Sequence, residues 1–186
     1  MNHNISVTYK HVRIRPLKEE DLENLRKWRN DEKISEFLRK INPITPEQQK
    51  NWWKSDCEDE TVATFAIDEI DELNSMVGSV SIYDIKGDTA EIGRIVVGNP
   101  DAKGKKIGYY ALLMAMYAGY ECLGVEIYYG EVHEENKPAY VNDMRAGFIV
   151  TGKHAYPTGG YELEMALPKA HFNEVHDFLD EFKLEN

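Results

Sequence analysis

Apolar and polar residues alternate along several stretches of the chain, which is the pattern of half-buried strands. The first stretch, residues 11–17 (HVRIRPL), alternates apolar and basic side chains and has a proline near its end. Three further stretches lie in the middle of the chain, with a Lys-Gly-Asp turn between the last two, and span residues 61–68, 76–85 and 89–97. This order predicts an antiparallel meander.

Helical periodicity begins before these strands and returns after them. The first ten residues carry no clear pattern and are predicted to be loose. Helices are predicted over residues 19–30, 34–41, 45–53, 107–122, 136–146 and from residue 168 towards the end, and strands over residues 125–133, 147–152 and 161–167. The sum predicts an α/β (α+β) fold with a mixed sheet, helices on both faces, and a right-handed parallel crossover from residue 89 to residue 133.

Length and charge narrow the class of protein. The chain has 186 residues, enough for one domain, and its net charge of −11 argues against a nucleic-acid partner. An acidic surface suits a cationic partner such as an amine. The two cysteines match no disulfide or CxxC pattern, and the N-terminus has no apolar core of a signal peptide. No apolar run approaches the roughly 20 residues of a spanning helix. These features predict a cytoplasmic protein with no membrane contact. The histidines have no ligand spacing, so no metal is expected.

A loop rich in lysine and glycine, residues 101–108 (DAKGKKIG), joins the third middle strand to the long helix. A helix start offers unpaired N–H groups to an anion, and glycines let the backbone approach a ligand closely. Three lysines add positive charge in an otherwise acidic chain. The loop therefore indicates either an anion site or an ordinary solvated turn, and it is not a P-loop because GxxxxGK[ST] is absent.

Two blocks with family spacing surround this loop. Residues 103–108 (KGKKIG) resemble the signature Q/R-x-x-G-x-G/A: the last glycine matches, lysine replaces Gln/Arg at the first position, and Lys106 replaces a glycine. A second block has the form N-x-x-A-x-x-x-Y-x-x-x-G-F and is matched at Asn136, Ala139, Gly147 and Phe148, with Asp143 in place of the tyrosine. Together with Glu91-Ile92-Gly93 and Asn99-Pro100, these blocks make residues 12–167 resemble the GNAT superfamily of acyl-CoA-dependent N-acetyltransferases.

The resemblance implies acetyl-CoA as co-substrate and a mostly antiparallel sheet with a central splayed parallel pair. One splayed strand carries Ile95, Val96 and Val97, and the pantetheine arm would lie between it and residues 127–133, with Asn136 facing the pantetheine or sulfur end. The loop would cradle the diphosphate through Lys103, Gly104, Lys105, Lys106, Ile107 and Gly108. Lys106 is tolerable there provided that its backbone is not required at positive φ.

The resemblance also implies a catalytic base and leaves its identity open. An alkylammonium has a pKa of about 10.4 and must lose a proton before it attacks a thioester. Glu91 and Glu131 are the two candidates for that proton, unless they are simply solvent-facing or salt-bridged strand residues. A backbone N–H at Val96 or Val97 would hold the oxyanion.

The acid that protonates the leaving thiolate is equally open. Asp143 occupies the position of the family's tyrosine, and an aspartate is a poor acid unless its pKa is raised. Tyr140, one turn earlier on the same helix, is the other candidate. A third possibility is that no dedicated acid is needed, because the thiol has a pKa of about 8.5.

The acceptor is expected to be a small-molecule primary amine, such as an amino sugar or a polyamine, that attacks directly in a ternary complex. Residues 25–30 (LRKWRN), with residues 44–45 and 52–53, resemble the ribosomal-protein and amino-sugar acetyltransferase branch. A protein N-terminal amine is one alternative, and a CoA-binding module impaired by Asp143 is another. A homodimer and an acyl donor longer than acetyl remain open, and residues 168–186 are expected to pack as a helix on or near the domain.

Overall fold

The computed structural model describes residues 1–34, 43–157 and 159–186. Its strands form one nine-stranded sheet in the order β7-β8-β6-β5-β4-β3-β2-β1-β9. The strands are β1 Ser6–Tyr9, β2 Val12–Pro16, β3 Ala63–Glu69, β4 Ser75–Lys86, β5 Thr89–Val97, β6 Ile127–His133, β7 Ile149–Ala155, β8 Tyr161–Pro168 and β9 Lys183–Glu185. Every neighbouring pair is antiparallel except β5 and β6, which are parallel. The predicted meander of β3, β4 and β5 and the parallel crossover after it are confirmed.

Within the described residues, five α-helices connect these strands where the local sequence provides starts and stops. They are α1 Leu22–Asn30, α2 Pro46–Glu58, α3 Ile107–Cys122, α4 Lys137–Ala146 and α5 Lys169–Val175. Helix α2 begins at a capping box, in which the Thr45 hydroxyl accepts from the Gln48 amide and the Gln48 side chain accepts from the Thr45 amide. Helix α4 ends at Gly147, whose φ of 99° suits a left-handed C-cap.

The sheet is covered by helices on both faces, as predicted. The larger core contains α3, which is buried along most of its length, including Leu113, Met114 and Met116 at 0% exposure. Burying one such side chain stabilises the fold by about 1.5–3 kcal/mol. A smaller core lies under α1 and α2 and consists of Leu17, Leu22, Leu25, Ala66 and Met76, with Trp28, Trp52 and Trp53 packed at its border. The result is a mixed α/β fold with helices separated into two layers.

Both ends of the chain differ from the prediction. The first ten residues are not loose, because β1 pairs with β2 and also with β9. The predicted C-terminal helix is wrong beyond Val175: a single 3₁₀ turn, Leu179–Glu181, follows, and the chain ends in β9. Ring contacts explain the change, since Tyr9 stacks on Phe178 at 5.5 Å and packs against Phe182 at 4.9 Å, burying the aromatic residues without a helix.

Two smaller findings complete the fold. The helix predicted at residues 34–41 lies almost wholly outside the described residues, and Ile34 alone is seen, in a turn. Within the described part of the chain, no helix is both long enough and apolar enough to cross a bilayer.

A tight contact between α3 and β6 generates a stability prediction. A Cβ placed on Gly119 would lie 1.7 Å from the hydroxyl oxygen of Tyr128, which is fully buried and has no hydrogen-bond partner among the described residues. Gly119→Ala is therefore expected to lower the free energy of unfolding by about 2 kcal/mol, measured by urea denaturation.

Tyr128→Phe is the matched control for this contact. It removes an unpaired buried hydroxyl, so on its own it is expected to leave stability unchanged or to raise it. In the Gly119→Ala background it is expected to recover part of the loss, because the methyl group then has room. If Gly119→Ala and the double variant Gly119→Ala/Tyr128→Phe are equally stable, the predicted clash with the Tyr128 hydroxyl is wrong.

Candidate active site

The parallel strands β5 and β6 separate after three residue pairs. They pair at Thr89–Ile127, Ala90–Tyr128 and Glu91–Tyr129, and no later residue of β5 pairs with β6, all of these residues being described. Strand β6 stays paired with β8 as far as His133, and β5 stays paired with β4 as far as Val97. The opening therefore lies within the sheet, beyond Glu91, where the splayed pair was predicted.

A bulge in β5 accompanies the opening. Ser81 lies opposite Gly93 and Ser79 opposite Val96, so that two residues of β5, Arg94 and Ile95, face one residue of β4. Arg94 has a φ of 51°, a left-handed conformation that is uncommon outside glycine. Such a bulge bends its strand and leaves backbone groups unpaired, which explains why β5 leaves β6 here.

A cavity of about 680 Å³ lies at the end of β5, between the lysine-rich loop, the start of α3 and one side of α4. Six predicted residues line it, namely Val97, Lys103, Gly104, Lys106, Ile107 and Gly108. No side chain caps the first amides of α3. Those amides, two lysines and the cavity together have the chemistry that could hold an anion such as a diphosphate.

The backbone of Lys106 departs from the expectation for this position. Its φ is 59°, so the condition under which lysine could replace glycine without strain is not met. A left-handed conformation costs a non-glycine residue roughly 1–2 kcal/mol. This strained residue is one of the residues that line the cavity.

Four predicted coenzyme residues do not line the cavity. Ile95 and Val96 lie on the bulged strand, and Val96 is buried. The Lys105 ammonium pairs with Glu72, and the Lys105 carbonyl is hydrogen bonded to His11 at 3.0 Å. Asn136 caps α4, because its side-chain oxygen accepts from the Ala139 amide at 3.3 Å. Lys105 and Asn136 therefore hold the loop and the helix in place.

Three lining residues with polar side chains were missed at the sequence level. Tyr109 follows the loop on α3, and Asn142 and Arg145 lie on α4. The Tyr109 hydroxyl donates to the Arg145 carbonyl at 3.3 Å and joins the two helices. The i, i+3 spacing of Asn142 and Arg145 puts both on one helix face, but only the packing of α4 beside α3 shows which face meets the loop.

Glu91 lies where the two strands part. Its register partner on β4 is Tyr83, so that the Tyr83 hydroxyl and the Glu91 carboxylate lie on the same face of the sheet and interact. Burial raises the pKa of Glu91 above its usual value, and the charges of Asp84 and Glu131 add to the rise, whereas Tyr83 and Arg94 oppose it. Burial raises the pKa of Tyr83 to about 12, with Glu91 contributing, so the hydroxyl stays protonated. Glu91 therefore has the environment of a tuned base, while Glu131 is exposed to solvent.

The structure changes the interpretation of Asp143. It lies on α4 next to Asn142, which lines the cavity, and burial raises its pKa to about 6. The pKa is raised as an acid at this position requires, although most of the carboxyl is ionised at neutral pH. Tyr140 is half-buried and packs against the larger core instead.

Comparison with known proteins agrees with this geometry. A family described as Acetyltransferase (GNAT) domain matches residues 11–148. The chain belongs to the GNAT acetyltransferase family. Membership makes it an acyltransferase of the acetyl-CoA-dependent N-acetyltransferase class.

Solved structures share the fold of this GNAT chain. Spermidine N-acetyltransferase from Vibrio cholerae, in complex with CoA and spermine, superposes with a TM-score of 0.76 at 17% identity, covering 87% of this chain and 98% of that one. A GNAT acetyltransferase from Bacillus anthracis gives a TM-score of 0.74 at 19% identity, covering 89% and 99%.

Two curated relatives resemble the sequence itself. One is the N-acetyltransferase 9-like protein of Caenorhabditis briggsae, 24% identical over 178 residues, which cover 90% of this chain and 88% of the relative. The other is alpha/beta-tubulin-N-acetyltransferase 9 of Mus musculus, 24% identical over 150 residues, which cover 75% of this chain and 62% of the relative.

The cavity leads to a prediction that Arg145 contributes to CoA binding whereas Lys105 does not. Arg145 lines the cavity and donates no hydrogen bond to the described residues, so Arg145→Gln is expected to weaken CoA binding about tenfold. Lys105→Gln is the matched control: its ammonium pairs with Glu72, and the Kd for CoA is expected to change less than twofold. Isothermal titration calorimetry measures both, and a larger loss for Lys105→Gln would contradict this placement.

The raised pKa of Asp143 generates a prediction of pH-dependent stability. The folded chain binds this proton up to a pH of about 6, whereas the unfolded chain releases it near 3.8, so the carboxyl makes folding less favourable as the pH rises between these values. Asp143→Asn is expected to stabilise the protein by about 2 kcal/mol at pH 7.5 and by almost nothing at pH 4. Urea denaturation at both pH values tests this, and a gain that is equal at both would refute it.

Proposed function

We propose that this protein transfers the acetyl group of acetyl-CoA to a primary amine of a small molecule, by direct attack in a ternary complex. The observation that carries the proposal is the separation of β5 from β6 next to an uncapped helix start and a cavity of about 680 Å³. The pantetheine arm lies in the opening and pairs with the free edge of β5 at Ile95, Val96 and Val97. The diphosphate contacts the first amides of α3.

The charged side chains of the cavity complete the coenzyme site. Lys103, Lys106 and Arg145 surround the diphosphate position, and each carries a positive charge in a protein whose net charge is −11. Charge-assisted hydrogen bonds to phosphate are about twice as strong as neutral ones. Attraction to CoA is therefore confined to this end of an otherwise acidic surface.

Glu91 acts as the base in this proposal. It takes a proton from the acceptor ammonium, directly or through a water molecule, and the neutral amine attacks the thioester carbon. The Tyr83 hydroxyl holds the carboxylate in position, and the raised pKa of Glu91 makes it a better proton acceptor than an exposed glutamate.

The tetrahedral intermediate is stabilised by the bulged strand. Its oxyanion accepts a hydrogen bond from a backbone N–H at Val96 or Val97, which β6 does not engage. When the intermediate collapses, the C–S bond breaks and the nitrogen releases its second proton to water. The departing thiolate takes up a proton from Asp143 in the molecules where this carboxyl is protonated, its pKa being about 6. The products are an N-acetylated amine and CoA with a free thiol.

The small-molecule acceptor is supported by the fold relatives and by charge. The Vibrio cholerae enzyme of the same fold is a spermidine N-acetyltransferase. The acidic surface of this chain attracts amines, which are cationic at neutral pH. The alternative of a CoA-binding module without catalysis has less support, because it rested on Asp143 being unable to act as an acid.

A protein amine is the second candidate acceptor. The mouse relative is named as an acetyltransferase of tubulin, and the Caenorhabditis relative carries the same family number in its name. Both cover most of this chain, which supports a polypeptide substrate as a real alternative.

Replacement of Glu91 tests the proposed chemistry. Glu91→Gln keeps a polar side chain beside Tyr83 but cannot accept a proton, so kcat/KM for an accepted amine is expected to fall at least about 100-fold at pH 7. The KM for acetyl-CoA is expected to stay within about twofold. Thiol release with a panel of primary amines is the measurement.

Glu131→Gln is the control, because this glutamate is exposed on the neighbouring strand. Its rate is expected to remain within about threefold of the parent. If Glu131→Gln is the inactive variant and Glu91→Gln is not, the base has been assigned to the wrong strand.

A further inference from the structure

The arginines that the structure describes fall into two groups. Away from the opening they are paired: Arg13 and Arg15 contact Asp68, Arg15 also contacts Asp21, and Arg26 contacts Glu23 at 2.8 Å. Arg29, Arg94 and Arg145 donate no hydrogen bond and form no ion pair with any described residue. An arginine has five N–H donors, so an unpaired one near a site is available to a ligand. Arg145 is explained by the coenzyme cavity, whereas Arg29 and Arg94 are not.

Arg29 and Arg94 lie together on the other face of the sheet. Tyr83 is adjacent to the core residue Ile82 on β4 and points away from α3, and the Arg94 guanidinium lies 4.0 Å from the centre of its ring. Arg29 is at the end of α1, with its guanidinium 5.9 Å from the ring of Trp52. Burial and the charge of Arg94 lower the pKa of Arg29, which shows that the two cations act on each other.

Helix α1 is fixed against the end of β5 by a close contact. A Cβ on Gly98 would lie 2.0 Å from the Trp28 ring, so this ring rests directly on the backbone that follows Val97. Val97 in turn lines the coenzyme cavity from the opposite side. Arg29, the residue after Trp28, is therefore held beside the opening, on the face that the coenzyme does not occupy.

Aromatic stacking alone does not account for this pair. Stacking leaves the edge of a guanidinium, which carries the N–H groups, free to bind an anion. Asp56, Asp59 and Glu91 exert a long-range effect on Arg94, but none is within ion-pair distance of it. Among the described residues, no carboxylate forms an ion pair with either guanidinium group, and two such groups on one face of the sheet can bind an anion.

We infer that Arg29 and Arg94 bind an anionic group, a carboxylate or a phosphate, on the acceptor whose amine lies at Glu91. The inference rests on the proposed function and specifies its substrate class: an amine that also carries a negative charge, in contrast to a polyamine. The Arg94 guanidinium lies 4.0 Å from the centre of the Tyr83 ring, and Tyr83 is the register partner of Glu91. The amine and the anionic group of the acceptor would therefore bind at neighbouring side chains.

Matched pairs of acceptors test this inference. The carboxylate arm compares ω-amino acids of three to six carbons with their amides, and the phosphate arm compares aminoalkyl phosphates with the corresponding amino alcohols. A peptide arm compares Asp-Ala amide with Asn-Ala amide, and spermidine represents the polyamines. Turnover is measured by thiol release, and binding to the CoA-saturated protein is measured by calorimetry.

Four variants locate the effect. Arg29→Gln and Arg94→Gln each remove one charge, and Arg29→Lys keeps the charge without the planar fork. Lys27→Gln is the matched control, because it removes a positive charge from the same helix at an exposed site beside Glu23. Thermal unfolding of each variant, together with its affinity for CoA, shows that the fold is retained.

The expected result is a preference of at least tenfold in kcat/KM for the anionic member of one of these pairs over its neutral partner and over spermidine. Arg29→Gln or Arg94→Gln should remove that preference through the acceptor KM, with kcat and the KM for acetyl-CoA nearly unchanged. Arg29→Lys should retain part of it, and Lys27→Gln all of it.

The outcomes separate this inference from the proposed function. Turnover without a charge preference, or an equal loss for anionic and neutral amines in Arg29→Gln, overturns the anion site and leaves the acetyltransferase intact. Arginine-dependent binding of anionic amines without turnover of any amine supports the anion site and overturns the proposed activity. Absence of both binding and turnover of anionic amines overturns the anion site.

Discussion

The separation of β5 from β6 is the constraint on which the rest of the site depends. Two parallel strands that stayed paired would leave no free backbone edge and no space between the layers of helices. The bulge at Arg94 and Ile95 makes the separation possible, because it places an extra residue in β5 while β4 continues in register on its other side. At Gly78 a Cβ would lie 2.1 Å from the Val96 carbonyl, so the bulge also requires glycine on the neighbouring strand.

The side chains around this opening include several cations, in contrast to the net negative charge of the protein. The chain is strongly acidic, yet the described arginines that form no ion pair, Arg29, Arg94 and Arg145, lie around the opening on both faces of the sheet. The carboxyl groups at the opening, Glu91 and Asp143, have raised pKa values because the protein withdraws them from water. Carboxyl groups with raised pKa values are unfavourable for stability in their ionised form, and their position beside the opening connects them with ligand binding.

The sequence predicted the elements that form the site better than it predicted the ends of the chain. Helix α3 and strand β5 lie at the predicted residues, since a long apolar run and a Gly-Asn-Pro break are strong local signals. The prediction for the C-terminal residues was wrong because Phe172, Phe178 and Phe182 can be buried equally well in a helix or by contact with other aromatic rings such as Tyr9. Local periodicity does not distinguish those two solutions, and β1, at the other end of the chain, decides between them.

By itself the sequence determined the strand order of the meander, the position of the lysine- and glycine-rich loop before α3 and the small set of carboxylates from which a base could be drawn. Tertiary structure decided that Lys105 and Asn136 support the backbone, that Arg145 reaches the cavity, and that Glu91 is withdrawn from water while Glu131 is not. The physical reason is that patterns along a chain report which residues share a face of one element. Burial, pKa and the pairing of charges depend on which other element packs against that face.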